Sequence, residues 1–250
     1  MIGRHSHRKG GLSMPGVFIN CILILLGSVL GIVFRGKLPT RFLDVVVQCL
    51  GLGVVAIGVT SAIGTENTLC MIVSLVVGTI LGEAIDIEKR LERCGDLIKA
   101  KLMKGGGSGS AFTDGFVTAS VLYCVGAMAI LGSIDAGIHH DYTILTSKAV
   151  IDGVFSISLA AAVGVGVAFS AVPVLIYEGA ITLLAGLVAG YLTEPLITEL
   201  SAVGGCIIVG IGLNMLKVTE KPLKVGNMLP AVFIPFLYLP LVQEISRLIR

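Results

Sequence analysis

The sequence predicts an all-α protein that crosses a membrane about eight times. Hydrophobic residues make up 55% of the chain and charged residues 14%, whereas soluble domains carry about 25% charged residues. The mean hydropathy is +0.97, and the apolar residues form continuous runs, which excludes the alternating strands of a membrane β-barrel. A soluble enzyme and a disordered chain are thereby excluded, and a net charge of +2 gives no basis for binding nucleic acid.

Eight apolar runs approach the roughly 20 residues that a membrane helix needs. They predict spans at 16–34, 42–63, 68–85, 116–132, 144–171, 173–192, 197–216 and 228–243. Pro230, Pro235 and Pro240 each lack a backbone N–H, so we expect the last span to be kinked or interrupted. The spans leave no room for a separate soluble domain. We therefore predict a single integral-membrane domain over 14–250, preceded by a flexible polar leader over 1–13.

The segment after span 3 is predicted to be an amphipathic helix over 88–104, on the inner membrane surface. Apolar side chains recur there at helical spacing with charges between them, a pattern typical of interfacial helices. These apolar residues are Ile87, Leu91, Cys94, Ile98 and Leu102. The Gly- and Ser-rich residues 105–111 then predict a flexible linker. A solvated basic face is the alternative to specific binding of a lipid or partner by this helix.

Lysine and arginine residues predict the orientation of the chain. Twelve of them occur in three loops, whereas the loops after spans 2, 4 and 6 have none. Five more lie in the terminal segments and oppose this orientation, namely Arg4, Arg8, Lys9, Arg247 and Arg250. The basic loop residues are Arg35, Lys37 and Arg41, then Lys89, Arg90, Arg93, Lys99, Lys101 and Lys104, and finally Lys217, Lys221 and Lys224. Positively charged loops face the cytoplasm, so both termini are predicted to lie outside.

An internal repeat relates spans 1–3, within 14–104, to spans 6–8, within 172–250. The matching residues are Leu25, Leu26, Gly27 and Gly31 in span 1 with Leu183, Leu184, Gly186 and Gly190 in span 6, and Gly51 and Gly58 in span 2 with Gly205 and Gly212 in span 7. An odd number of spans separates the copies, so the repeat is predicted to be inverted, with two intervening spans over 112–171. Inverted repeats are typical of two-state carriers. A shared packing unit without transport is the alternative.

Polar residues within the spans are costly in lipid and mark the candidate site. Lys148 and Asp152 are four residues apart in span 5 and are expected to pair on one helix face, with a purely structural role near the outer interface as the alternative. Glu178 has no cation within four residues, so we expect it to be protonated, to pair with Lys148 or to line water. The candidates for a substrate or ion pathway are Asn20, Ser120, Tyr123, Gly126, Lys148, Asp152 and Glu178, and Gln48, Glu83 and Asn214 complete the polar inventory.

The leading functional hypothesis is a small secondary transporter or channel for a small solute or ion. The alternative is a non-transporting membrane scaffold or regulatory subunit that uses the helix over 88–104. An enzyme is not expected, because no H-E-x-x-H or G-x-S-x-G motif occurs. The six cysteines form no C-x-x-C pair, so neither a disulfide framework, a metal site nor a cofactor is expected. The expected partners are the lipid bilayer and the solute or ion. The G-x-x-x-G faces permit a homo-oligomer but serve equally for packing within one chain.

Several runs carry a family resemblance over residues 14 to about 242. They are Ala119 to Gly137, Leu145 to Gly153, Gly164 to Val167 and Ile181 to Ala185, together with an opening pattern of Asn20, Gly27, Gly31, Leu38 and Pro39. In these runs the chain resembles a bacterial inner-membrane family of unknown function that includes YdfK and YqgA. The resemblance implies a multi-pass protein of the bacterial cytoplasmic membrane and implies no activity. Glu178 stands where the resemblance leads us to expect glutamine.

Overall fold

The computed structural model describes residues 14–35, 39–90, 93, 97 and 109–249, and all regular structure in these residues is helical. The helices are α1 Pro15–Arg35, α2 Thr40–Ala62, α3 Thr68–Ile85, α4 Gly109–Cys124, α5 Ala127–Ile138, α6 Thr143–Val163, α7 Gly166–Phe169, α8 Ala171–Val188, α9 Glu194–Met215 and α10 Pro235–Ile249, with 3-10 segments at Ala189–Tyr191 and Val225–Phe233. The predicted leader over 1–13 and most of the predicted amphipathic helix and linker lie outside the described residues. Helix α4 begins at Gly109, so the end of the predicted linker is helical.

The helices have the lengths and surfaces of a multi-pass membrane protein, which confirms the predicted fold class. Seven helical segments of the described chain are long and apolar enough to cross a membrane, and the bent pair Phe112–Cys124 and Met128–Ile138 counts as an eighth if its two helices form one broken span. Helix α1 shows how each segment is oriented. It exposes large apolar side chains such as Phe18, Ile22 and Leu26 and buries the small residues Gly27 and Gly31. Large apolar side chains on the outside suit contact with lipid, while small residues let helices pack closely.

Span 4 differs from the continuous helix predicted at 116–132. Helices α4 and α5 meet at an angle of 59°, and Gly126 between them has φ +151° and ψ 152°. Residues with a side chain rarely adopt a positive φ of this size, whereas glycine does so readily. Glycine at position 126 therefore makes the break feasible. The sequence run is apolar on both sides of Gly126, which is why hydropathy alone did not reveal the break.

Span 5 is shorter than predicted. Helix α6 ends at Val163 because Gly164 has φ +101°, a conformation that glycine tolerates. The next membrane segment already begins at Gly166, so the predicted run of 144–171 joined the end of one span to the start of another. The last span is interrupted as predicted, since the 3-10 segment Val225–Phe233 precedes α10.

Close backbone contacts at glycine join the membrane helices in pairs. Helix α1 packs along α6, α2 packs along α9, and α3 packs against the segment Val225–Phe233. In the α2–α9 contact, a Cβ added to Gly58 would lie 2.6 Å from the carbonyl oxygen of Gly205, and one added to Gly212 would lie 2.8 Å from that of Gly51. We call these four residues the glycine seam. At such distances only glycine lets the two backbones touch.

Candidate functional site

Four polar side chains from three helices meet inside the protein, and we call them the ion cluster: Asn20 of α1, Lys148 and Asp152 of α6, and Glu178 of α8. The Lys148 ammonium forms ion pairs with the carboxylates of Asp152 and Glu178, the latter at 3.0 Å. The Asn20 side-chain N–H donates to both carboxylate oxygens of Glu178, at 3.0 and 3.1 Å. The cluster therefore links α1, α6 and α8 through their side chains.

The ion cluster is almost fully buried. Asn20 and Glu178 are 0% exposed, Asp152 is 6% exposed and Lys148 is 7% exposed. The spacing of Lys148 and Asp152 places both on one helix face, as the sequence predicted. Of the three expectations for Glu178, the structure gives pairing with Lys148. Burial limits the contact of these charges with water, so they are screened less and interact more strongly here than at a surface.

One buried polar atom of the ion cluster has no hydrogen-bond partner among the described residues. It is the side-chain carbonyl oxygen of Asn20. An unsatisfied buried acceptor costs about 1–3 kcal/mol. Such groups are uncommon in folded proteins, and Ser28 and Ser133 carry the other two buried side-chain oxygens without a partner among the described residues.

Two predicted residues border the ion cluster and one does not. The Tyr123 hydroxyl on α4 and the Ser156 hydroxyl on α6 share a hydrogen bond of 2.8 Å, one turn along α6 from Asp152. Gly126 lies at the break between α4 and α5. The Ser120 hydroxyl instead donates to the carbonyl oxygen of Phe116 in its own helix. The hydroxyl of Ser120 is thus satisfied within α4.

A cavity of about 230 Å³ lies beside the ion cluster. Its polar lining includes Lys148, Asp152 and Tyr123, and Gly126 places the α4–α5 break at its wall. A broken helix presents backbone groups that lack partners within the helix, and in membrane proteins such breaks occur where they line a cavity. A larger cavity of about 430 Å³ borders α8, α9 and α10, but its described lining contains no Lys, Arg, Asp or Glu. The smaller cavity is therefore the one associated with charge.

The ion cluster contains two carboxylates and one ammonium, so its full ionisation leaves one negative charge unbalanced. An unbalanced buried charge is strongly destabilising. Asp152 lies at the wall of the cavity, whereas Glu178 is absent from the described lining. Both acids therefore pair with the same Lys148 ammonium, but only Asp152 lies at the wall of the cavity. Such an arrangement can exchange a small cation between a reachable position and a closed one.

Sequence reasoning missed a third buried acid, Glu199 of α9. Its carboxylate accepts hydrogen bonds from the backbone N–H groups of Glu66 and Asn67, both at 2.9 Å, and from the Thr65 hydroxyl at 2.7 Å. The Glu199 carboxylate therefore stabilises the conformation of the loop between α2 and α3. Its position one turn inside a predicted span is the signal that could have identified it.

The other polar residues of the predicted inventory, Gln48, Glu83 and Asn214, are not members of the ion cluster. Asn214 bonds both the backbone N–H and the carbonyl oxygen of Leu223, each at 2.8 Å, and Glu83 pairs with Lys224. Gln48 lies on the exposed side of α2. The described residues contain no group of three His, Cys, Asp or Glu side chains that could hold a metal ion.

The sequence is similar to known membrane proteins along nearly its whole length. It is 32% identical over 226 residues to the "Uncharacterized membrane protein YdfK" of Bacillus subtilis (strain 168), covering 89% of this chain and 94% of that protein. It is 28% identical over 223 residues to the "Uncharacterized protein YqgA" of Escherichia coli (strain K12), covering 88% and 93%. No solved structure matches the chain. Residues 15–239 match the model of the family described as "Protein of unknown function (DUF554)", and the chain therefore belongs to this family.

Proposed function

We propose that this protein is a small secondary transporter or channel for a small solute or ion. The pathway consists of the ion cluster and the cavity beside it. The observation that carries the proposal is a set of four polar side chains buried where α1, α6 and α8 meet, with two of them at a cavity wall. Ionisable residues within membrane segments characteristically mark ion and substrate pathways.

Helix packing gives no sufficient reason for these charges. Helices α1 and α6 already touch through glycine, because a Cβ on Gly27 would lie 2.2 Å from the carbonyl oxygen of Gly153, and one on Gly31 would lie 2.2 Å from that of Ile157. The glycine seam joins α2 to α9 by the same means and uses no ion pair. Because the charges add an energetic cost to a contact that small residues already make, a role in binding explains them better.

An inverted repeat supports transport, and the contacts around α1 and α8 agree with it. The spacing that aligns Leu25 with Leu183 also aligns Asn20 with Glu178, and these two residues bond each other. The same spacing aligns Gly27 of α1 with Ala185 of α8. Gly27 packs on Gly153 of α6, and Ala185 packs on Gly137 of α5. Each copy thus places a small residue against one intervening span.

The glycine seam has the reciprocal contacts that a two-fold axis generates. Gly51 and Gly58 are the repeat equivalents of Gly205 and Gly212, and Gly51 touches Gly212 while Gly58 touches Gly205. Exchanging the two copies leaves this pair of contacts unchanged. Such symmetry supports a carrier in which the halves exchange conformations about the ion cluster.

The repeat alignment of α8 is shifted by one residue from the sequence prediction. A Cβ added to Gly186 or to Gly190 would meet nothing within 4 Å, so the predicted G-x-x-x-G of this span makes no close contact. Ala185 occupies the packed position instead. In lipid, a small residue matters only on the face that meets another helix.

We further propose that the protein lies in the bacterial cytoplasmic membrane, with both termini outside. The basic loops support this orientation, since Arg35, Lys89, Lys217 and their neighbours follow predicted spans 1, 3 and 7, which all end on the same side of the membrane. In this arrangement α1 and α8 cross the membrane in opposite directions. The proposal includes no catalytic step, and the partners are lipid and the transported solute or ion.

Flux measurements on the full chain in liposomes test the proposed function. We expect the wild-type protein to move at least one member of a panel of small ions and solutes. Asp152→Asn removes the carboxylate at the cavity wall and is expected to abolish that flux. Glu66→Gln, which removes an exposed carboxylate in the α2–α3 loop, is the matched control and is expected to retain it.

Flux that is absent from the wild type across the whole panel, or equal in Asp152→Asn and wild type, contradicts the proposal. In the first case a scaffold or regulatory role is the remaining explanation. The topology is tested separately by labelling single cysteines at Arg35 and Tyr191, the C-terminal ends of α1 and of the segment after α8, in a background without the native cysteines. Labelling of both from the same side of the membrane contradicts the inverted repeat.

A further inference from the structure

The charge balance of the ion cluster identifies what the cluster must bind. Lys148 balances only one of the two carboxylates, Asp152 or Glu178. A second cation is required for neutrality in a setting where an unpaired charge is costly. The ammonium already pairs with both carboxylates, and the described residues hold no group of three His, Cys, Asp or Glu side chains that could bind a metal ion. A proton is the cation that needs no further space.

Asn20 suits both protonation states of Glu178. Its side-chain N–H now donates to the Glu178 carboxylate, which is the bond expected of an ionised acid. Its side-chain oxygen is buried and has no partner among the described residues. Since an amide carries a donor and an acceptor, turning it presents this oxygen to a protonated Glu178, whose O–H then donates. The amide therefore offers a partner whether the acid is charged or neutral.

We propose that the ion cluster holds one exchangeable proton and that this proton is the coupling ion of the transporter. The proton enters from water in the cavity to the carboxylate of Asp152. It then passes to the carboxylate of Glu178, which lies on the other side of the shared Lys148 ammonium. Because the Lys148 ammonium lies between the two acids, it gives one of its protons to Glu178 and takes up the proton of Asp152. The ammonium is thereby restored and the total of protons is unchanged. The coupling rests on the function proposed above, whereas proton binding stands by itself.

Other titratable groups near Glu178 do not replace the proton. Cys21 of α1 and Cys124 of α4 are electrostatic neighbours of Glu178, and so is Tyr177, the preceding residue of α8. The Cys21 thiol donates to the carbonyl oxygen of Ala171 at 3.4 Å. A thiol or a phenol that keeps its proton is neutral, so none of the three balances the excess negative charge.

Infrared difference spectroscopy on the purified full chain tests proton binding directly. Spectra recorded between alkaline and acidic buffer report the C=O stretch of a newly protonated carboxyl group, which shifts when H₂O is replaced by D₂O. We expect the wild type to show a buried-carboxyl band and to take up one more proton per chain than Glu178→Gln. Asp152→Asn is expected to lack the band as well, because either substitution leaves Lys148 with one carboxylate and no excess charge.

Glu66→Gln is the control and is expected to retain the band, since it removes an exposed carboxyl by the same substitution. If Glu178→Gln fails to fold, Asp152→Asn gives the same comparison. A band that is absent from the wild type, or unchanged in both cluster variants, overturns the proposal. Thermal stabilisation by sodium at constant pH that Asp152→Asn abolishes also overturns it, because an alkali cation then takes the place of the proton.

The two proposals fail in different ways. Proton uptake without flux of any tested solute contradicts transport and leaves proton binding intact. Flux that does not respond to a pH gradient, in a protein that still shows the carboxyl band, contradicts the coupling alone. Flux in a protein that lacks the carboxyl band contradicts proton binding and leaves the transport proposal intact.

Discussion

The glycine seam and the ion cluster join membrane helices in different ways. At the glycine seam, Gly51 and Gly58 of α2 meet Gly212 and Gly205 of α9 through close packing that includes backbone contacts. At the ion cluster, α1, α6 and α8 are joined by ion pairs and hydrogen bonds in addition to the glycine contacts of α1 with α6. The first contact depends on shape, and the second depends on both shape and charge.

The difference shows which feature of this protein calls for a functional explanation. Shape alone is enough to hold two helices together, because close packing replaces lipid contacts with protein contacts. The buried charges at the ion cluster require desolvation, and their attraction only partly compensates for it. The molecule therefore keeps charges at one helix contact although a neutral contact serves elsewhere in the same fold.

Removing the ammonium is expected to have the largest effect on stability. Lys148→Met leaves the carboxylates of Asp152 and Glu178 buried without a cation, and breaking a buried pair in this way costs about 3–5 kcal/mol. The free energy of unfolding in detergent is the measurement. Lys221→Met, at an exposed position, is the control. Equal stability of Lys148→Met and wild type contradicts the view that the charges are coupled.

Filling the glycine seam is expected to be the next most destabilising change. Gly58→Val places a side chain where the backbone of Gly205 lies, and overpacking of this kind costs about 3 kcal/mol. Gly53 is in the same helix and has nothing within 4 Å of an added Cβ, so Gly53→Val is the matched control. If both variants lose the same free energy of unfolding, the glycine seam is not a specific contact.

Glu199 provides a buried carboxylate in the helix of the glycine seam, where it accepts hydrogen bonds from the α2–α3 loop. Glu199→Gln keeps an oxygen for the N–H groups of Glu66 and Asn67 but loses the charge, and we expect a cost of about 1 kcal/mol. Hydrogen exchange should increase at these two amides and leave the ion cluster unchanged. Glu194→Gln, exposed in the same helix, is the control. Loss of solute flux in Glu199→Gln shows instead that Glu199 also belongs to the pathway.

The exposed ion pair Lys224–Glu83 is expected to have the smallest effect, because water screens it. The hydrogen bond to Glu83 raises the pKa of Lys224 above its ordinary value of 10.5. Its contribution to stability is therefore complete below pH 10.5 and is lost as the pH rises through the folded-state pKa. Stability of Lys224→Met and wild type should differ slightly at neutral pH and converge in strong alkali. A difference that grows with alkaline pH contradicts this assignment.

Much of the fold was predictable from local composition, whereas the breaks within spans were not. Long apolar runs identified α1, α2, α3 and α9 to within a few residues, because bilayer thickness sets helix length. The breaks at Gly126 and Gly164 escaped prediction. Both lie in continuously apolar sequence, where hydropathy does not distinguish a glycine that packs from a glycine that turns the chain.

The sequence predicted which residues belong to the candidate site, but it did not predict that all of them lie together. The i, i+4 spacing predicted that Lys148 and Asp152 would pair, since helix geometry fixes that contact. Asn20 and Glu178 were recognised only as polar residues in lipid. Their mutual bond joins positions 158 residues apart, and no local pattern encodes which helices become neighbours.

The sequence by itself determined the class of this protein, the lengths of most spans and the residues that lipid disfavours, because these follow from transfer energies along a single chain. Only the tertiary structure decided that Asn20, Lys148, Asp152 and Glu178 share one site and that Asp152 alone of the two acids reaches a cavity wall. The physical reason is that packing selects among many pairings of similar apolar helices. Backbone contacts at Gly27 and Gly31 bring α1 against α6, and that contact in turn brings the charges together.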